Sequence, residues 1–237
     1  DHVKFYASYN TSLRMPSFTE LYYSVGGHKA DSHLLPEKLA ALEGGVNYTA
    51  GGVQAKASVF YNHHKNLIDW INDGTLDDNG APLWKSVNFG KINTLGAEAS
   101  LQLDFRRLLP AQHLMKRLSV AYCWMNQDEK EYSGIVSQYS LEYLKNKLTG
   151  DAQLNIWRNL DLTVKYRLQH RMGSYLDVEN VRHRYSTYAL MDARLSWTEP
   201  GWNVYVEGNN LLDREYVDYG NVKQPGFWIV AGVSYNL

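Results

Sequence analysis

Apolar and polar residues take turns along most of this chain with a period of two, and that period decides what it can fold into. An amphipathic helix would repeat at about 3.6 residues, whereas a period of two builds a strand with one apolar and one polar face. Residues 160–171 show it most cleanly: Leu160, Leu162, Val164, Tyr166 and Leu168 alternate with Asp161, Thr163, Lys165, Arg167, Gln169 and Arg171. Over 94–105, Leu95, Ala97, Ala99, Leu101, Leu103 and Phe105 stand opposite Thr94, Glu98, Ser100, Gln102 and Asp104. Over 53–63, Val53, Ala55, Ala57, Val59 and Tyr61 stand opposite Gln54, Lys56, Ser58 and Asn62. The alternation predicts about ten strands, at 3–11, 38–50, 52–71, 83–105, 117–129, 138–157, 160–173, 186–198, 202–209 with an extension to about 219, and 226–237, and it predicts no helix.

Several of these runs exceed the roughly 10 residues usual for a strand in a soluble sandwich. No apolar run approaches 18 residues, which excludes a transmembrane helix. The mean hydropathy of −0.44 does not exclude a membrane, because a transmembrane β-barrel turns only every second residue to lipid. Aromatic usage favours the barrel: Tyr 18 against Phe 6, with Trp 7, supplies side chains with an apolar body and a polar tip, suited to an interface. Tyr48, Tyr61, Tyr122, Trp124, Tyr166, Trp197, Trp202 and Tyr235 are expected near strand ends, where aromatic girdles lie. Connections alternate in length. Ala50-Gly51-Gly52, Arg158-Asn159 and Glu199-Pro200-Gly201 are short, while 12–37, 72–82, 130–137, 174–185 and about 212–225 are long. With the C-terminus on the inner side, the long segments are extracellular and the first strand runs outward. The connection 106–116 is longer than its inner side predicts. The fold expected is all-β, an antiparallel up-and-down transmembrane β-barrel wall spanning 1–237 as one domain.

Lys+Arg 24 against Asp+Glu 25 implies neither a nucleic-acid surface nor an acidic tail. One cysteine, Cys123, allows no internal disulfide, and its apolar-rich surroundings predict packing. The opening Asp1-His2-Val3-Lys4-Phe5 falls inside a strand pattern, so a mature form or a piece of a longer protein is expected. The polar face gathers Lys4, Glu43, Lys56, Glu98, Asp104, Asp151, Asp161, Lys165, Arg167, Arg171, Asp192, Arg194 and Glu207, whose mixed signs suit cross-strand pairs or contacts inside a lumen. His28, His33, His63, His64, His170 and His183 are scattered, and adjacent strand residues such as His63 and His64 point to opposite faces, so no metal site is expected. Asp77-Asp78-Asn79-Gly80 reads as a tight turn and not a calcium loop. Outer-membrane proteases and phospholipases are the enzymatic alternative, but no nucleophile signature is present, and no cofactor is implied. For a binding function, aromatics on outer loops are the natural contacts for a large, partly apolar ligand: Tyr22, Tyr23, Trp70, Trp84, Tyr175, Tyr185, Tyr216 and Tyr219. The alternative role for these rings is to close the loops over the barrel or to sit at the membrane interface.

Three segments carry a family resemblance. Asn10-Thr11-Ser12-Leu13-Arg14-Met15-Pro16-Ser17-Phe18-Thr19-Glu20-Leu21-Tyr22, then Leu35-Pro36-Glu37-Lys38 and Glu43-Gly44-Gly45, resembles the S-x-R-x-P-S-x-x-E-L-Y, L-x-P-E and E-x-G series of TonB-dependent outer-membrane receptors. Lys65-Asn66-Leu67-Ile68-Asp69-Trp70 with Val87-Asn88-Phe89-Gly90 and Gly96-Ala97-Glu98 is similar to that family's long hairpin. Gly208-Asn209-Asn210-Leu211-Leu212-Asp213-Arg214-Glu215-Tyr216, followed by Pro225-Gly226, resembles its last strands. The terminal strand resembles the family's assembly signal at Gly232, Tyr235 and Leu237, departing from it where Leu237 replaces a terminal aromatic and Val230 a polar residue.

The resemblance covers essentially the whole chain and matches the C-terminal part of a barrel of about 22 strands. It implies a Gram-negative outer membrane, a plug domain and further barrel strands absent from this chain. The partners it implies are outer-membrane lipid, the TonB complex reached through the plug, the barrel-assembly machinery, a small-molecule ligand and, in some members, a surface lipoprotein. Spacing is most similar to cobalamin receptors of Bacteroidetes, with iron-siderophore and haem receptors sharing most motifs. The competing arrangement is a small self-closed ten-strand barrel acting as a passive pore or structural protein. Pairing between the first and last strands separates the two.

Overall fold

In the computed structural model, which describes residues 2–128, 134–138, 143–179, 181–218 and 222–235, the chain forms one antiparallel wall. Its strands in chain order are β1 (Val3–Arg14), β2 (His28–Lys29), β3 (Glu37–Ala50), β4 (Val53–Asn72), β5 (Trp84–Asp104), β6 (Met115–Gln127), β7 (Val136–Ser137), β8 (Leu144–Trp157), β9 (Leu160–Arg171), β10 (Ser174–Leu176), β11 (Arg182–Arg184), β12 (Tyr188–Glu199), β13 (Trp202–Asn209), β14 (Tyr216–Val217), β15 (Lys223–Gln224) and β16 (Trp228–Tyr235). The wall runs β1-β3-β4-β5-β6-β8-β9-β12-β13-β16, each strand beside its neighbour in sequence, as ten up-and-down strands require. Among the described residues, β1 pairs only with β3 and β16 only with β13. The first and last strands therefore do not close a small barrel.

The faces follow the alternation. Phe5, Tyr9, Leu42, Val59, Leu101, Val120, Val206, Ile229 and Val233 all lie exposed on one side, as a lipid-facing surface does. On the other side Lys165 stands in register between Asp151 and Asp192, and Arg194 reaches Glu207 at 3.6 Å. Cys123 faces this polar side, in register between Glu98 and Lys147, and not among apolar residues as expected. Its apolar neighbours Tyr122 and Trp124 point to the other face, whereas its own face is set by Ser119 and Ala121.

Three rings on the polar face each cover a glycine of the next strand: Tyr6 over Gly45, Phe60 over Gly96 and Tyr205 over Gly232. Each glycine leaves room for the ring to lie flat on the sheet, a device that pins register.

Three expectations are corrected. One-turn helices occur at α1 (Phe18–Tyr22) and α2 (Phe105–Leu108), too short to show a 3.6-residue period. α1 is started by a capping box of Ser17 and Glu20, α2 by Asp104, whose carboxylate accepts from the Arg106 N–H. α2 also accounts for the long inner connection: the Asp104 N–H bonds the Gly52 carbonyl at 2.8 Å, which puts this turn on the same side as the short ones. Similarly, β13 ends at Asn209 because Asn210 and Asp213 take positive φ and turn the chain. The aromatics also divide. Tyr48, Trp197, Trp202 and Tyr235 lie at the short-turn ends, but Tyr61, Tyr122 and Tyr166 are mid-strand. A membrane crossing takes about 9–11 residues, and β4 has 20, so its outer half stands clear of the membrane and Tyr61 falls near the outer interface.

The buried apolar residues, Leu34, Ile68, Trp70, Ile71, Ile92, Val136, Tyr143, Tyr185, Tyr188 and Leu190, all belong to the outer ends of strands and the long connections. A single-layer wall has no core of its own. The core forms where the outer loops pack.

Candidate functional site

The long β4–β5 hairpin is the tower around which the outer side is built. At Asn66, φ is +56°, and the ladder skips the Asn66–Gly90 position before resuming at Leu67 and Phe89. Beyond it the neighbours change. β7, from the connection after β6, pairs with β4 at Ile71 and Asn72, while β2, from the connection after β1, pairs with β5 at Trp84 and Lys85. In the wall below, β4 lies beside β3 and β5 beside β6. The edge order is thus reversed at the tip, the outcome of the strong right-handed twist of a two-stranded ribbon. Two loops from opposite sides of the hairpin are held on it. Asp69, fully buried, fastens one of them by accepting from the Ser137 hydroxyl at 2.5 Å and from the Trp70 N–H at 2.7 Å.

Motif residues fasten the other. Arg14 donates to Glu37 at 3.0 Å, to both oxygens of Glu20 at 3.0 and 3.2 Å, and to the Ile68 carbonyl at 3.2 Å. Glu20 also accepts from the Ser17 N–H at 2.6 Å. Burial pushes the Glu20 carboxyl up, but the Ser17 N–H and the Arg14 guanidinium outweigh it and hold the group below its ordinary value. Asn88 exchanges hydrogen bonds with the Leu35 backbone, its side chain accepting at 2.8 Å and donating at 3.0 Å, and it donates to the Asn66 carbonyl at 2.8 Å. Farther along, Asn210 donates to the carbonyls of Arg214 and Pro225 at 2.9 and 3.1 Å and accepts from the Arg214 N–H at 3.0 Å. Arg14, Glu20, Glu37, Asn88 and Asn210 all lie within the family-like motifs, but the order of residues assigns them no role. The S-x-x-E spacing of Ser17 and Glu20 is the one local signal that could have marked them.

The aromatic candidates fall into two groups. Tyr23, His28 and Trp70 form a chain of rings with centroid separations of 5.8 and 5.2 Å, and Trp84 is in register with His28. Tyr22 and Tyr23 are exposed, Trp70 is buried and Trp84 half-buried. In the second group Tyr175 stacks against His183 at 5.5 Å and meets Tyr185 at 5.1 Å, and Tyr216 stacks on Tyr188 at 4.4 Å. Arg171 ties these together, over the Tyr185 ring and 3.0 Å from Asp218. Tyr185 is buried and Tyr175 and Tyr216 are half-buried. Tyr219 and Leu237 lie outside the described residues. Gly232 and Tyr235 take opposite faces of β16, Gly232 under Tyr205 and the exposed Tyr235 toward lipid.

Among the described residues, no three His, Cys, Asp or Glu side chains converge to hold a metal. His63 turns to Asn93 at 2.7 Å, whereas His64 turns to the other face, 3.7 Å from Glu37. Asp77 accepts from the N–H groups of Asn79 and Ala81 at 2.9 and 2.8 Å, closing the turn expected there.

Comparison with known proteins agrees with this architecture. The family described as "TonB dependent receptor-like, beta-barrel" matches residues 1–211. The vitamin B12 transporter BtuB of Vibrio vulnificus (strain YJ016) is 25% identical over 196 residues, 76% of this chain and 31% of the relative. Among solved structures, the copper transporter OprC superposes with a TM-score of 0.74 at 13% identity, covering 98% of this chain and 37% of that one. The siderophore receptor PirA from Acinetobacter baumannii superposes with a TM-score of 0.70 at 15% identity, covering 99% and 39%. The chain spans 31% to 39% of the length of these relatives.

Proposed function

Because this chain belongs to the TonB-dependent receptor β-barrel family, we propose that it is the C-terminal part of the barrel wall of a receptor that captures a scarce ligand outside the cell and imports it, with cobalamin as the favoured ligand. Members of the family are transporters and not enzymes, and they reside in the Gram-negative outer membrane. The observation that carries the reading is the outer tower, where both flanking loops are fastened on residues of the family-like motifs and the β1–β3 connection carries the exposed rings of Tyr22 and Tyr23. Cobalamin is favoured over siderophore, haem or copper by the sequence similarity to a vitamin B12 transporter, joined to the Leu67-Ile68-Asp69-Trp70 hairpin.

In this reading Tyr22, Tyr23, Trp84, Tyr175 and Tyr216 contact the ligand, as Tyr219 is proposed to do from its place in the sequence, and the buried Trp70 and Tyr185 are the rings against which their neighbours rest. Further strands cover the free edges of β1 and β16, since unpaired backbone is not tolerated in lipid. A plug domain fills the lumen and couples to the TonB complex; a surface lipoprotein cap and assembly by the outer-membrane insertion machinery, guided by Gly232, Tyr235 and Leu237, belong to the same proposal. The test is equilibrium binding by the complete receptor to cobalamin, haem, ferric siderophores and copper. Saturable cobalamin binding that exceeds the others supports the reading, and preference for another of the four replaces cobalamin.

A further inference from the structure

Three lysines stand side by side on the lipid-facing side of the wall. Lys38 of β3 is in register with Lys65 of β4, and Lys65 with Lys91 of β5. All three are exposed. Lys65 follows Tyr61 and His63 on the same face, so the row lies four residues beyond the ring of Tyr61. At about 3.3 Å per residue and a strand tilt near 45°, that is about 9 Å above the ring's own level. The headgroup layer adds roughly 5–8 Å beyond each side of the hydrocarbon core, so flexible lysine side chains from this row reach it from above.

Like charges directly opposite on neighbouring strands repel, and Lys38 and Lys65 make no hydrogen bond or ion pair among the described residues. Thr11, Leu13, Lys38, Ala40, His63 and Lys65 line a groove of about 420 Å³ at this height. Below it Asn93 accepts from the Tyr61 hydroxyl at 2.9 Å and bonds His63 at 2.7 Å, fixing the floor. The groove thus offers cations above and apolar surface below: Leu13 at the edge, then Tyr9, Leu42 and Val59 continuing down the wall.

We propose that this groove is a binding site for a phosphate-bearing lipid headgroup of net negative charge in the outer leaflet, with Lys38 and Lys65 taking the phosphate and the wall beneath taking an acyl chain. The site is separate from the ligand-binding rim and is indifferent to which ligand the receptor imports.

The test is native mass spectrometry of the complete receptor in detergent, titrated with lipid A, with phosphatidylcholine and with inorganic phosphate. Wild type is expected to hold lipid A at least tenfold more tightly than phosphatidylcholine, and K38Q/K65Q to lose that preference. K38R/K65R is expected to keep it, and K165Q, altered on the opposite face, to leave it unchanged. Amide-exchange protection over 17–31 in each variant reports that the outer loops are folded. Equal lipid A affinity in wild type and K38Q/K65Q overturns the site. Inorganic phosphate bound as tightly as lipid A overturns the lipid as its occupant.

Discussion

The phenol ring of Tyr6 lies across Gly45 on the neighbouring strand, so closely that a Cβ on Gly45 would stand 2.6 Å from the ring. From there the Tyr6 hydroxyl donates to Glu43 at 2.6 Å, two residues along the same strand. Gly44, next in the chain, faces the other way and has only a backbone oxygen at 3.9 Å. Gly45→Ala is therefore expected to destabilise the barrel by about 1–3 kcal/mol through overpacking, and Gly44→Ala to change little. Guanidinium unfolding of the complete receptor in lipid measures both. Equal midpoints for the two variants would show that the ring covers nothing of consequence.

Arg14 makes the β1–β3 loop dependent on pH. Glu20 is held below the ordinary carboxylate value of 4.5, so its pairing stabilises the loop fully above that value and is lost as pH falls through its lower folded one. Arg14→Gln is expected to cost about 1–2 kcal/mol, since the arginine side chain is 46% exposed and part of the ion-pair energy is screened. Amide exchange over 17–31 should rise in the variant at pH 7 and rise in wild type only below pH 4.5. Unchanged protection in the variant would refute the role given to Arg14.

Much of this wall was legible because alternation is a backbone property: one residue of slip would turn Leu162, Val164 and Tyr166 from lipid into the lumen. The motif knots were legible as strings and not as contacts. Nothing in the order of residues shows that Asn88 reaches Leu35, or that Asp69 awaits Ser137, 68 positions away. Trp70 and Tyr23 look alike in sequence, both aromatic and both in outer segments. Only the reversed pairing at the hairpin tip buries one and leaves the other exposed. The lysine row was hidden for the same reason, since Lys38, Lys65 and Lys91 meet only through register.

Asn210 combines a left-handed backbone, φ +50°, with a buried amide that spans Arg214 and Pro225. Glycine satisfies the first requirement and not the second; aspartate keeps the acceptor and loses both donations. Asn210→Gly and Asn210→Asp are both expected to lose about 1–2 kcal/mol, because the two part-buried hydrogen bonds donated by the Asn210 amide are lost. Thermal unfolding of the complete receptor would show it. A glycine variant as stable as wild type would mean that the conformation alone matters.

Tyr23 and Trp70 separate contact from support in the proposed ligand site. Tyr23 is 46% exposed at the outer end of the ring chain, while Trp70 is 5% exposed beneath it, against His28. Removing an exposed contact ring weakens binding without loosening the fold, so Tyr23→Ala is expected to lower affinity for the transported ligand about tenfold with loop protection unchanged. Trp70→Ala leaves a cavity under both loops and should lower affinity and raise amide exchange at residues 28–29 and 84–86 together, whereas Trp70→Phe should retain most of both. Titration calorimetry beside hydrogen exchange distinguishes the two classes. Loss of loop protection in Tyr23→Ala equal to that in Trp70→Ala would make Tyr23 a packing residue, and the ligand surface would then rest on Tyr22, Trp84, Tyr175 and Tyr216.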